Sequence, residues 1–162
     1  MRHQKAFTLI EVLAVIGIIA VLSAAAFAFF GNTTVKARDA KRISDLSQIG
    51  RFLSFGCLTP DTGPGDFDLN VLMAEFKSKY PQYADRIPGN IRDPKTGTEA
   101  VSGYRYEVAA GGQCVLYANL EDNETAVNLP AISEAAPGGG KGVFEAADPG
   151  PNGSRKYFQV SN

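Results

Sequence analysis

Lys5-Ala6-Phe7-Thr8-Leu9-Ile10-Glu11-Val12 opens an apolar run that continues to Phe30, with one carboxylate just inside its start. From Val12 to Phe30 nineteen residues pass with Ser23 as the only polar side chain. At about 1.5 Å per residue, a helix of that length covers a bilayer core of roughly 30 Å. An ionised carboxylate among hydrocarbon chains costs about 3 kcal/mol even on lenient insertion scales. An anchor alone has no use for it. A segment that must find a partner inside the membrane does, because a positive group on a neighbour offsets that cost.

Phe7-Thr8-Leu9-Ile10-Glu11, with a short basic leader before it and an uncharged apolar stretch after it, resembles the N-terminus of type IV pilins and of the pseudopilins of type II secretion systems. The resemblance implies cleavage between Ala6 and Phe7 by a prepilin peptidase and N-methylation at Phe7. It implies an assembly role for Glu11, which would pair with the Phe7 amino group of a neighbouring subunit. That amino group is charged near neutral pH, its ordinary pKa being near 8. At about 4 Å and an effective dielectric of about 20 the attraction is about 4 kcal/mol gross, comparable with the desolvation it offsets. Three positions depart from the family pattern: Ala6 stands for the usual Gly before the cut, Ala28 for a frequent Pro, and Ala20 for a frequent Gly.

Two other readings compete for the same segment. Ala26-Phe27-Ala28 fits the small-x-small pattern of a secretory signal, but Glu11 splits what should be a clean apolar region. A plain signal anchor carrying a membrane-attached binding domain is the other. Charge counting alone, with Arg2 and Lys5 before the span and Lys36, Arg38, Lys41 and Arg42 after it, would leave the C-terminal side in the cytoplasm. The resemblance implies the opposite: the head outside the cytoplasmic membrane before assembly, and in an extracellular or periplasmic filament afterwards. The basic cluster then reads as a solvated or subunit-facing helix surface.

Past the span, Val35, Ile43, Leu46, Ile49 and Leu53 recur mostly at three- and four-residue intervals, with Arg38, Lys41, Asp45, Gln48 and Arg51 between them. That is the pattern of an amphipathic helix. No Pro occurs before Pro60, so one helix is predicted from about Phe7 to Ser54, too long for a head of this size to enclose. Arg38 to Leu46 also resembles the stem of pilin-like proteins from several bacterial groups. Gly56 and Pro60 end the helix, and Asp61 to Asp66 reads as loop. A short helix is predicted from Leu69 to Tyr80, stopped by Pro81. Ile87-Pro88-Gly89-Asn90 and Asp93-Pro94-Lys95-Thr96-Gly97 read as turns, the second resembling the loop between stem and sheet in major pseudopilins.

Tyr104 to Val108, Cys114 to Leu120 and Lys156 to Val160 read as strands, with Gly111-Gly112 as a hairpin turn. Pro130 to Ser154 reads as a Gly- and Pro-rich surface loop available for subunit contacts. The fold class is therefore α+β: a long N-terminal helix packed against a small antiparallel sheet of about three strands. The domain plan is leader 1–6, apolar transmembrane stem 7–30, amphipathic continuation 31–56 and globular head 57–162.

Cys57 and Cys114 are the only cysteines. They either close a disulfide between helix end and sheet or remain two buried thiols. In an exported head a bridge is permitted, and a loop of about 57 residues would contribute about 4 kcal/mol on the chain-entropy view. His3 is the only histidine and lies in the leader. The mature chain thus lacks the usual proton shuttle of nucleophilic triads, neither Cys has a His to activate it, and no enzyme is predicted. No metal set is predicted from two separated Cys. No cofactor is expected, though the acidic groups Asp61, Asp66, Asp68 and Glu121, Asp122, Glu124 are the places where Ca²⁺ would sit. They do not have EF-hand spacing.

Without Arg2 and Lys5, the sixteen Lys and Arg become fourteen against seventeen Asp and Glu. That balance does not point to nucleic acid as a partner. What the resemblance implies is a structural subunit of a type IV pilus-like filament, a homo-oligomeric helical assembly whose other partners are prepilin peptidase, the pilus or secretion machinery, and the membrane before assembly. The alternative is the major pseudopilin of a type II secretion system.

Overall fold

The computed structural model describes residues 8–53, 56–86 and 91–162, with only the backbone at 27–32 and 86. Helix α1 spans Leu9–Leu53, free of Pro and rich in Ala, Leu and Ile, which keep the backbone helical. The chain divides into two units at Val35 and Lys36. In the first unit every large apolar side chain from Leu9 to Leu22 is at least 50% exposed. Leu9–Ala26 is long and apolar enough to cross a membrane by length and composition. So much bare apolar surface calls for lipid or other chains around it.

The second unit is built around a five-stranded sheet. The strands are β1 (Gly65–Asp68), β2 (Arg105–Val108), β3 (Cys114–Asn119), β4 (Lys141–Glu145) and β5 (Lys156–Ser161). Their order is β1-β2-β3-β5-β4, and every neighbouring pair is antiparallel. Leu46, Ile49 and Leu53 of α1 pack on one face of it, against Tyr106, Leu116, Ala118, Phe158 and Val160. Helix α2 (Leu69–Lys79) adds Leu69 and Leu72 to the same core.

Alternation at period two explains the register. Leu116 faces Val160 and Ala118 faces Phe158 on the core side, while Tyr117 faces Gln159 on the other.

The α+β architecture matches the sequence reading, with five strands rather than about three. The two added strands come from stretches that read as loop. β1 is Gly-Asp-Phe-Asp, acidic and short, and it pairs with β2 so that Asp66 meets Arg105 at 2.6 Å. Its last residue, Asp68, also caps α2 by accepting from the Asn70 amide at 2.9 Å. β4 lies inside the Gly- and Pro-rich passage. Its Gly142 has no room for a Cβ, because Asn128 and Leu129 cross directly over it. The amides of Asn128 and Leu129 donate to Val143 O at 3.1 and 2.9 Å, sealing that sheet edge.

The same passage covers the outer face of the sheet instead of standing free. Gln159, wholly buried, accepts from the Ala136 amide at 3.0 Å and donates to Gly140 O at 3.2 Å. Val115 and Phe144 are buried on that face too.

The hairpin between β2 and β3 turns at Gly111-Gly112, with the Ala109 amide donating to Gln113 O at 2.9 Å. α2 ends at Lys79 with the Tyr80 amide donating to Phe76 O, and Pro81–Arg86 follows as a 3₁₀ segment. Ser54, the predicted helix end, and the predicted turn at 87–90 lie outside the described residues.

α1 reaches the sheet closely at Gly50, where a Cβ would stand 2.5 Å from Val160 Cγ1 and 2.9 Å from its Cβ. Gly50→Ala gains about 1 kcal/mol of helix propensity and loses about 1–3 kcal/mol to overpacking. Thermal melts should show Gly50→Ala slightly destabilised and Gly50→Val clearly so; a rise in melting temperature for both would refute the close contact.

Candidate functional site

Two constellations stand out, one in each unit. In the first unit, Thr8 and Glu11 bracket the opening turn of α1. Glu11 Oε2 accepts from the Thr8 amide at 2.9 Å and from the Thr8 hydroxyl at 2.8 Å, while the Glu11 amide points back to Thr8 Oγ1 at 3.4 Å. This is a reciprocal capping box, which satisfies helix-start donors that the chain otherwise leaves open. The carboxylate is thus hydrogen-bonded within its own chain.

In the second unit, α1 turns charged residues inward. The buried line on the helix runs Asp39, Arg42, Leu46, Ile49, Leu53, so the apolar stripe continues at the same period as an ionic one. Arg42 lies at the centre with its side chain 0% exposed. It grips Asp93 with two bonds, Nε to Oδ2 at 2.7 Å and Nη2 to Oδ1 at 2.9 Å. Its Nη1 meets Asp39 at 2.6 Å and its Nη2 meets Glu121 at 2.8 Å. Arg38 holds Glu121 through a second fork, 2.7 Å on each oxygen, and Lys95 Nζ approaches Glu121 at 3.3 Å. Three cations and three carboxylates cancel.

The remaining lone pairs are also used. Asp93 accepts from the amides of Lys95 and Thr96 at 2.8 and 2.9 Å, and from Asn152 Nδ2 at 2.9 Å. Asp39 accepts from the amides of Glu121 and Asp122, each at 2.9 Å.

Electrostatics follow from this geometry. Burial alone would raise the Asp93 pKa, but the Arg42 guanidinium and the backbone amides hold it far below the usual carboxylate range. The Arg38 fork, aided by Arg42 and Lys95, holds Glu121 down at about 2 against the opposing effect of burial. Arg42 is raised: burial lowers it, and its bonds to Asp93, Glu121 and Asp39 outweigh that. Burial, then the Asp45 carboxylate that its hydroxyl meets at 2.9 Å, pushes Tyr104 up.

Cys57 and Cys114 form a disulfide with Cα atoms 5.7 Å apart, joining the segment after α1 to the start of β3. Beside it lies an apolar groove of about 1020 Å³ whose walls include Phe52, Leu58, Leu72, Phe76 and Tyr83. Among the described residues no Asp, Glu, Lys, Arg or His lines it.

Residues 1–27 match the family described as the prokaryotic N-terminal methylation motif. The chain carries the signature of type IV pilins and pseudopilins. No curated protein and no solved structure was found to match. The motif implies, in general, processing by prepilin peptidase and filament assembly. Together with the apolar Leu9–Ala26 helix it fits membrane anchoring before assembly.

Ala6 and Phe7 lie outside the described residues. Glu11 sits on the first turn of α1, and Cys57 and Cys114 are brought together. Five of the six carboxylates considered for Ca²⁺ are engaged with protein. Asp61 pairs with Lys79, Asp66 with Arg105, and Glu121 with the two arginines. Asp68 caps α2, and Asp122 accepts from the Glu124 amide. Among the described residues no three His, Cys, Asp or Glu side chains converge as a metal set.

The stretch Lys36 to Arg42, read from sequence as a solvated or subunit-facing surface, is corrected at Asp39 and Arg42, which are buried. A signal was present: 39, 42, 46, 49 and 53 keep one helical period. Charged residues are usually discounted from a core face, and their partners, Asp93 and Glu121, lie far along the chain.

Removing one partner of a buried pair leaves an unpaired charge, at a cost of about 3–5 kcal/mol. Arg42→Met and Asp93→Asn should each lower the unfolding free energy by about that much in urea titrations, with Lys41→Met near neutral. An Arg42→Met change below about 1 kcal/mol would show that the cluster contributes little.

The pH dependence has a defined sign. Both carboxylates are depressed in the fold, so their contribution is complete above the unfolded carboxylate range near pH 4. It declines as pH falls from there and is lost for Glu121 through about 2. Thermal melts from pH 7 to 2 should therefore be flat at first and then fall steeply, and less steeply in Asp93→Asn.

Proposed function

We propose that this chain is a structural subunit of a type IV pilus-like filament, cut between Ala6 and Phe7 by prepilin peptidase and N-methylated at Phe7. The observation that carries the reading is the coincidence of the methylation motif at residues 1–27 with a bare apolar helix. Its domain plan is a leader at 1–6, a stem at 7–30, a continuation at 31–56 and a head at 57–162. Single-pass in the cytoplasmic membrane with its head outside, the subunit awaits extraction by the pilus or secretion machinery. The apolar stems then pack as the filament core, which removes them from lipid without exposing them to water.

Glu11 is the register residue. Before assembly the Thr8 donors satisfy it locally; in the filament the Phe7 ammonium of a neighbour adds a charge that a hydroxyl cannot supply. No catalytic role is assigned, and nucleic acid is not among the proposed partners. Calcium is not part of the proposal.

A pseudopilin of a type II secretion system is the second reading. The turn from Asp93 to Gly97 leads into Tyr104 and Tyr106, and that sequence pattern favours it. Sheared surface fractions distinguish the two: long fibres on the cell favour the pilus, and their absence with a secretion defect favours the pseudopilus.

The mature N-terminus, read by mass spectrometry of protein from its native membrane, should be Phe7 bearing a methyl group. Met1 would make the chain a simple anchor, and Phe29 an ordinary secreted protein. Glu11→Ala should insert in the membrane normally while filament yield drops; normal filaments from that variant would remove its assembly role.

A further inference from the structure

Three Asn-x-Ser/Thr triplets occur in the chain: Asn32-Thr33-Thr34, Asn123-Glu124-Thr125 and Asn152-Gly153-Ser154. The triplet is the acceptor signal for N-linked sugar, but a signal is used only where the side-chain amide can enter a transferase. The structure separates the three.

Asn152 is only 5% exposed. Its Nδ2 donates to Asp93 Oδ2 at 2.9 Å and to Asn119 O at 2.8 Å. A sugar there would have to break into the Arg42 cluster. The backbone of Asn32-Thr33-Thr34 lies inside α1, where a continuous helix has no loop to offer an active site.

Asn123 differs on each count. It is exposed, in the turn that follows β3. Asp122 O accepts from the Thr125 amide at 3.3 Å and Asp122 Oδ1 from the Glu124 amide at 2.9 Å, so the triplet is bent outward on a short turn. The only hydrogen bond to the Asn123 side chain among the described residues is a long one, the Arg155 amide to Oδ1 at 3.4 Å. Nδ2 is left free to react. Beneath the turn, the Asp39 carboxylate anchors the amides of Glu121 and Asp122. The acceptor is thus an exposed side chain on a fixed base.

We propose that Asn123 is an N-glycosylation site of the folded head. The donor is a lipid-linked oligosaccharide. Asn123 Nδ2 forms a bond to the anomeric carbon of the reducing-end sugar. The bond from that carbon to the lipid phosphate oxygen breaks, the phosphate leaves with the electron pair, and the amide proton passes to a base of the transferase. The proposal rests on the reading that the head is exported, because such donors and their transferases act on the far side of the membrane. A glycan at this turn would start two residues beyond Glu121 of the ion cluster.

The test is peptide mass spectrometry of reduced, trypsin-cut protein from its native membrane, beside the same protein made in a host without oligosaccharyl transfer. The fragment Tyr106–Lys141 contains Asn123 and no other acceptor triplet, and Gly142–Arg155 contains Asn152 alone. The native Tyr106–Lys141 fragment should be heavier by whole sugar residues, and Gly142–Arg155 should be unchanged. Asn123→Gln and Thr125→Val should abolish the added mass, while Thr125→Ser keeps it. A native Tyr106–Lys141 fragment at its bare mass overturns the proposal, as does sugar on Asn152 in its place. The N-terminal fragment of the same digest keeps the two questions apart. A Phe7–Lys36 fragment with bare Asn123 removes only the glycan, whereas an Ala6–Lys36 fragment, which trypsin leaves from an uncut leader by cleaving after Lys5, together with sugar on Asn123 removes only the prepilin reading.

Discussion

A guanidinium with no access to water, at Arg42, sets the terms for the second unit. Arginine cannot shed its charge under any condition the fold meets, so burying it demands carboxylates in fixed positions. They come from Asp39 one helical turn away, Asp93 in the turn before β2, and Glu121 directly after β3. Each arrives from a different stretch of chain, and each has its spare oxygens satisfied by backbone amides, Asn152 or Arg38. Apolar contacts of Leu46, Ile49 and Leu53 are non-directional and would tolerate sliding of the helix over the sheet. A two-pronged ionic grip does not, because a shift of one residue would leave buried charge unpaired.

The sheet repeats that division of labour on its two faces. One face is closed by helices through aliphatic and aromatic packing. The other is closed by chain without regular structure, held by polar pins. Gln159 binds Ala136 and Gly140, and Asn128 binds the Val143 amide. Irregular backbone cannot satisfy its own donors and acceptors, so it needs side-chain partners to lie flat on a sheet. Sequence composition shows the glycines and prolines of that passage and not the glutamine that fastens it.

In the first unit the same question of charge in an apolar setting has a local answer. Thr8 supplies two donors to Glu11 within a single turn of helix. A carboxylate that meets its own helix start is less costly to carry among apolar side chains than a bare one. The neighbour's ammonium proposed for the filament then adds a charged partner to the donors that Thr8 already supplies.

Much of this protein was legible from residues alone because it rests on local rules. The apolar run from Val12 to Phe30, the absence of Pro before Pro60, the Gly111-Gly112 turn and the alternation in Tyr104–Val108 each act within a few residues. Short-range sterics and solvent preference decide such features. The methylation motif is linear as well, and Glu11 stands out by its composition against its neighbours. What remained hidden depends on distant partners. β1 and β4 become strands only because β2 and β5 lie beside them, and Gly142 has meaning only with Asn128 across it. Asp39 and Arg42 turn inward because Asp93 and Glu121 meet them from 51 and more residues away. The choice of Asn123 over Asn152 as an acceptor follows from burial, which the triplet does not encode. Periodicity tells which face of a helix is distinct; only the tertiary structure decides whether a charge on that face finds water or a partner.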